Sequence, residues 1–185
     1  MADPAARSAA RLAAAVALPA ALVAGLVAYR VLSASGAHPA ASASPTPRSS
    51  APVAMPAPPL AERPATVCRA LLSRLPAALR DRQRRPVTSG PEQNAAYGDP
   101  AITLACGGPR ASVDPTGLVS LLSGVCWYAA EGPKASTWTT VDREVPVTVT
   151  IPNGYAQPGQ WVIEFSPAVG TAVPAGGTPP SGCKG

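Results

Sequence analysis

Histidine is almost missing from this chain of 185 residues, which has one, His38. Ser-His-Asp and Cys-His nucleophilic sites need an imidazole, so both are excluded from everything after residue 38. Charged residues are scarce at 14% and aromatics at 4%. Lysine is scarcer still, two against thirteen arginines, so much of the net charge of +5 is an arginine bias. No cysteine precedes Cys68, which excludes a lipid-modified N-terminal cysteine. The four cysteines include no C-x-x-C pair and have no histidine near them, so neither a structural zinc nor a dithiol redox centre is expected. No phosphate-binding G-x-x-x-x-G-K-[ST] and no G-x-S-x-G elbow occurs either, and no cofactor is expected.

Alanine and proline are abundant instead, at 38 and 24 residues. Proline at more than twice its usual ~5% has to lie largely in segments that do not pack. Arg7 and Arg11 precede an uncharged run, Leu12 to Tyr29, which Arg30 closes. At ~1.5 Å per residue such a run is just long enough to cross a bilayer core. The arginine balance places residues 1–11 in the cytoplasm and everything after Arg30 outside. Residues 12–30 thus read as a single-pass anchor. A cleaved signal peptide is the alternative, because Ala34-Ser35-Gly36 offers small residues where a peptidase cuts. Residues 31–65 are dominated by Ala, Pro and Ser and read as a disordered, extended linker, with His38 a solvated linker residue.

Residues 66–185 read as the folded extracytoplasmic domain. Thr66 is a fitting N-cap, and Val67, Leu71, Leu75 and Leu79 make an apolar stripe that Pro76 should interrupt. After the basic turn Arg80 to Pro86 the period becomes two. Ala101 to Cys106, Val125 to Ala129 and Val145 to Ile151 alternate, and Thr137 to Asp142 carries the strand-forming Thr, Trp and Val. Pro146 argues for a sheet edge or a bulge before that last strand. Gln160 to Phe165 reads as a strand through Trp161, Ile163 and Phe165, followed by a short helix that Ser166 caps. The fold class is α+β: a small antiparallel sheet of four or five strands, one helix before it and a short one after, with a Thr-rich face partly solvated. An even number of exported cysteines implies two disulfides, with Cys68 joined to Cys106 and Cys126 to Cys183 as the favoured pairing.

The segment from Asn94 through Tyr97-Gly98-Asp99-Pro100 to Leu104-Ala105-Cys106-Gly107 resembles a signature of secreted actinobacterial proteins catalogued as domain of unknown function 3515. Cys68 with Leu71, Leu72, Leu75 and Pro76, Arg84-Arg85-Pro86, Gly124-Val125 before Trp127, Thr140-Val141-Asp142-Arg143 and Val147 to Pro152 extend the resemblance over nearly all of 66–185. Tyr97 stands where the family usually has tryptophan and Ala105 where it often has arginine. The resemblance implies a membrane-tethered or secreted envelope protein and carries no activity with it.

Two features remain as contact candidates. Asp99, in a Gly-Asp-Pro turn just before a strand, reads as ordinary turn chemistry, with a ligand or partner contact as the sharper alternative. Arg80, Arg82, Arg84 and Arg85 form a basic cluster whose favoured reading is a solvated loop of an arginine-rich chain, with a contact to envelope phosphates or lipid headgroups as the sharper alternative. The functional expectation is a non-catalytic, membrane-tethered module that binds or scaffolds an envelope protein or an anionic envelope polymer, and not nucleic acid. A wall hydrolase or transferase using carboxylates such as Asp99 and Glu164 is the alternative, and it needs two acids within ~9 Å in a cleft. An exposed aromatic patch drawn from Tyr97, Trp127, Tyr128, Trp138 or Trp161 would favour the binding module.

Overall fold

The computed structural model describes residues 22–31, 49–177 and 180–183. Residues 22–31 form a helix, α1, with Leu22, Val23, Leu26 and Val27 exposed. Residues 12–21 of the expected Leu12–Tyr29 span and 32–48 of the expected linker lie outside the described residues. Among the described residues no helix is long and apolar enough to cross a membrane.

From residue 49 onward the chain builds an eight-stranded antiparallel sheet with helices on one face. Helix α2 spans Glu62–Arg74. It begins four residues before the expected cap. Thr66 lies inside it, and its hydroxyl donates to the Glu62 carbonyl at 3.0 Å. Glu62 in the first turn and Arg74 in the last suit the helix dipole. Leu75 is already extended, as a residue before proline must be, so Pro76 ends the helix. Val67, Leu71, Leu72 and Leu75 are buried under the sheet. Each contributes roughly 1.5–3 kcal/mol of transfer free energy, and Leu71→Ala would open a cavity costing about 2–5 kcal/mol.

The strands are β1 Ala78–Leu79, β2 Arg82–Arg85, β3 Asn94–Tyr97, β4 Ile102–Cys106, β5 Leu118–Leu122, β6 Val125–Glu131, β7 Ala135–Thr140 and β8 Val147–Pro152. Their order is β1-β2-β3-β4-β8-β7-β6-β5, every pairing antiparallel. The sheet is therefore nearly twice the expected size. The basic turn contains a strand, β2, which has no apolar alternation to announce it. The four residues of β3 are all buried, and β5 reads Leu-Val-Ser-Leu-Leu, so neither shows a period of two. Pro146 does not mark an edge: β8 lies between β4 and β7, and Pro146 sits just before its first residue.

Register fixes the two faces. Ile102, Leu104, Cys106, Val147, Val149 and Ile151 point to the helices, as do Tyr97, Trp127 and Trp138. Gln160 to Phe165 is not a strand. Helix α3, Pro158–Val162, occupies its first half, and α4, Ser166–Ala172, follows. Trp161, Val162 and Phe165 are the buried residues and Ile163 is not, so the inward positions follow helical spacing and not alternation. Ser166 is the first residue of α4 and not its cap. Its hydroxyl accepts from the Trp127 indole at 3.1 Å.

Two disulfides join Cys68 of α2 to Cys106 of β4 and Cys126 of β6 to Cys183 in a final 3-10 turn, Ser181–Cys183.

Candidate functional site

The expected linker does not run free up to residue 65. Residues 49–60 form a strap bound to the sheet. Val53 pairs in parallel with Val87, and the Met55 amide donates to the Thr88 hydroxyl. Asn94 of β3 donates both amide hydrogens, to the carbonyls of Pro56 at 2.9 Å and Ser89 at 3.0 Å, and Gln93 donates to Pro58 at 3.1 Å. Leu60 packs over Gly107, where a β-carbon would stand 2.6 Å from the leucine and φ is +84°, so only glycine fits.

Asp99 and Arg85 meet at the start of this strap. Their closest charged atoms are 3.7 Å apart, and Asp99 accepts a hydrogen bond from the Ser49 amide at 3.1 Å. Arg85 also donates to the carbonyls of Ala51 and Gly98. Both side chains thus hold their own chain. The other three arginines, Arg80 in the turn before β2 and Arg82 and Arg84 two apart on the face of β2 opposite Arg85, each take a different partner. Arg80 pairs with Glu164 at 3.0 Å and lies over the Trp161 ring. Arg82 pairs with Asp81 and lies over Tyr155. Arg84 turns to the helix side and donates to the Leu72 carbonyl. The basic run is four separate clasps, and the carboxylates Asp99 and Glu164 are each paired to a different arginine.

The aromatic patch is absent for a similar reason. Tyr97, Trp127, Trp138 and Trp161 are buried among the core residues, and only Tyr128 reaches the opposite face. That face carries the feature the sequence did not announce. Thr137 and Thr139 of β7, Thr148 of β8, Ala105 of β4, and Tyr128 and Ala130 of β6 form the floor of an open groove of about 790 Å3. The strap, through Pro56, Ala57 and Pro58, is one wall, and the loop Gly108 to Ser112 is another. The loop is held by Arg110, which donates to the carbonyls of Arg143 at 3.3 Å and Glu144 at 2.9 Å. The Glu144 carboxylate is taken by Arg63, whose hydrogen bond holds its pKa below the ordinary range.

Arg143, within the Thr-Val-Asp-Arg run, is a buried structural cation. It donates to the carbonyls of Val173 and Gly124 and pairs with Asp142 at 3.3 Å, tying the end of α4 to the turn between β5 and β6.

What the groove can do chemically is set by its lining, which is small aliphatic side chains, prolines, threonine methyls and hydroxyls, a serine, the carboxamides of Gln93 and Asn94, one phenol and one guanidinium. No curated protein and no solved structure matches the chain. A family model does match residues 16–178, most of the sequence, and the chain belongs to the family it describes, Protein of unknown function (DUF3515).

Proposed function

We propose that this protein is a membrane-tethered, extracytoplasmic binding module of the cell envelope, and that the groove on the Thr-rich face is where its partner sits. The observation that carries this reading is the groove itself. An open cavity of about 790 Å3, mostly apolar and with a few polar groups, has the size and chemistry of a ligand site. Two disulfides suit an oxidising compartment outside the cytoplasm. The uncharged run Leu12–Tyr29, flanked by arginines, supplies the anchor in this reading.

The test uses the full chain in intact cells, with a photo-crosslinking residue replacing Ala111 on the groove wall or Thr171 on α4 as a control. Ultraviolet light should add mass to the Ala111-labelled protein and not to the Thr171-labelled one. Protease added to protoplasts should remove the folded domain from the membrane fraction. Equal labelling at both positions, or none at either, would sink the groove as the binding site, and a domain protected from protease would sink the location.

A further inference from the structure

The threonine hydroxyls on the groove floor already bond within the sheet, and the Tyr128 phenol is the floor group with no hydrogen bond among the described residues. The Thr137 hydroxyl donates to the Ala130 carbonyl at 3.3 Å, and the hydroxyls of Thr139 and Thr148 bond each other at 3.0 Å. Gln93 and Asn94, at the strap wall, each give an amide hydrogen to the strap, and Asn94 gives its second to the Ser89 carbonyl. The floor strands β3, β4, β8, β7 and β6 are all interior to the sheet, with neighbours on both sides, so no ladder groups are left for a peptide backbone to pair with. A peptide lying here would have only the Tyr128 phenol and the remaining Arg110 N–H groups for its many N–H and C=O groups, and would lay the rest against alanine, proline and threonine methyls. A hydrocarbon chain has no such groups to leave unpaired.

One lining residue is charged. Arg110 commits two of the five N–H groups of its guanidinium to backbone carbonyls and makes no ion pair among the described residues. Among the described residues no carboxylate lines the groove to neutralise it. Its carbonyl partners, Arg143 and Glu144, precede the first residue of β8, whereas Ala130 and Thr137 lie further along the strands, so the cation sits toward one end of an apolar trough. The volume of about 790 Å3 gives room for roughly two dozen water-sized groups at ~30 Å3 each, which takes an acyl chain of about sixteen to eighteen carbons with its head.

We infer that the groove binds a single-chain anionic amphiphile, a long-chain acyl carboxylate, with the chain over Ala105, Ala130 and the threonine methyls and the carboxylate at Arg110. The inference rests on the groove being the binding site. A guanidinium matches a carboxylate in shape and charge, while the apolar floor rewards chain length.

The delipidated full chain is titrated with oleate, and with oleyl alcohol as the uncharged chain, below micellar concentrations, and complexes are counted by native mass spectrometry. One oleate should bind per chain, more tightly than the alcohol. Arg110→Gln, which also loosens the loop wall, should weaken oleate about tenfold more than it weakens the alcohol. Ala130→Leu, which adds bulk to the floor, should weaken both, and thermal melts establish that each variant is folded. Failure of both probes to bind overturns the inference, as does an Arg110→Gln protein with unaltered oleate affinity. Preferential binding of an Ala/Pro-rich peptide overturns it too. If the Ala111 crosslink forms in cells while neither probe binds, the amphiphile is wrong and the groove survives. If no crosslink forms, the groove reading itself has failed.

Discussion

Tyr97 shows how one side chain can join the core to a pH response. It is completely buried, stacks edge-on against Phe165 at 5.8 Å, and donates its phenol to the Pro76 carbonyl at 2.9 Å. Burial raises its pKa above the ordinary value near 10, and nearby Arg84 pulls it partly back. The folded state therefore prefers the neutral phenol. Its stabilising contribution is complete below the unfolded value and is lost as pH rises through the folded one. Tyr97→Phe leaves the Pro76 carbonyl without its partner and should cost about 1 kcal/mol at neutral pH. Above pH ~10 the gap should narrow, because only the wild type loses stability by ionising this ring. Urea denaturation of both proteins from pH 7 to 11 reads the difference, and a gap that stays constant across that range would refute the account.

At the scale of elements, the strap 49–60 is the piece whose behaviour differs most from its composition. Its own side chains bury little, so its order comes from groups elsewhere: Asn94, Gln93, Thr88 and Arg85. Asn94→Ala removes two donors at once and should cost about 2 kcal/mol, at roughly 1 kcal/mol per hydrogen bond. The loss should be local, with the hydrogen-bonded Val53 and Met55 amides of the strap exchanging faster while those of β4 and β8 stay protected. Hydrogen exchange resolved by peptide checks this, and an unchanged strap would show that these bonds do not hold it. The same element explains what could be read from the sequence and what could not. Strands β4, β6, β7 and β8 and helix α2 carry their own apolar periods, so they were legible. The strap, β2 and β3 are ordered by partners distant in sequence, and local pattern carries no trace of them. Helix α3 shows the intermediate case, where Trp161 and Phe165 fit either spacing and only the burial of Val162 decides between them. The groove was half legible. Alternating threonines marked an open face, but both walls are irregular segments whose positions only the tertiary structure sets.

For the whole molecule, the disulfides are the strongest long-range ties, closing loops of 38 and 57 residues in separation. Native protein should show no titratable thiol, and peptide mapping without reduction should recover Cys68 with Cys106 and Cys126 with Cys183. A Cys68 to Cys126 link would contradict the fold. Replacing Cys126 and Cys183 together by alanine should cost about 2–4 kcal/mol, because the unfolded chain gains freedom. The Cys68 to Cys106 bond has a mechanical side as well. A pull on the chain ahead of Ser49 would first peel the strap and then unwind the start of α2, but at Cys68 the force meets a covalent link into β4, in the interior of the sheet. Only residues 49–67 can be drawn out, on the order of 65 Å of added reach at ~3.5 Å per residue. Beyond that length the load passes into the sheet, so the groove would lose its strap wall early in the extension, before the domain unfolds.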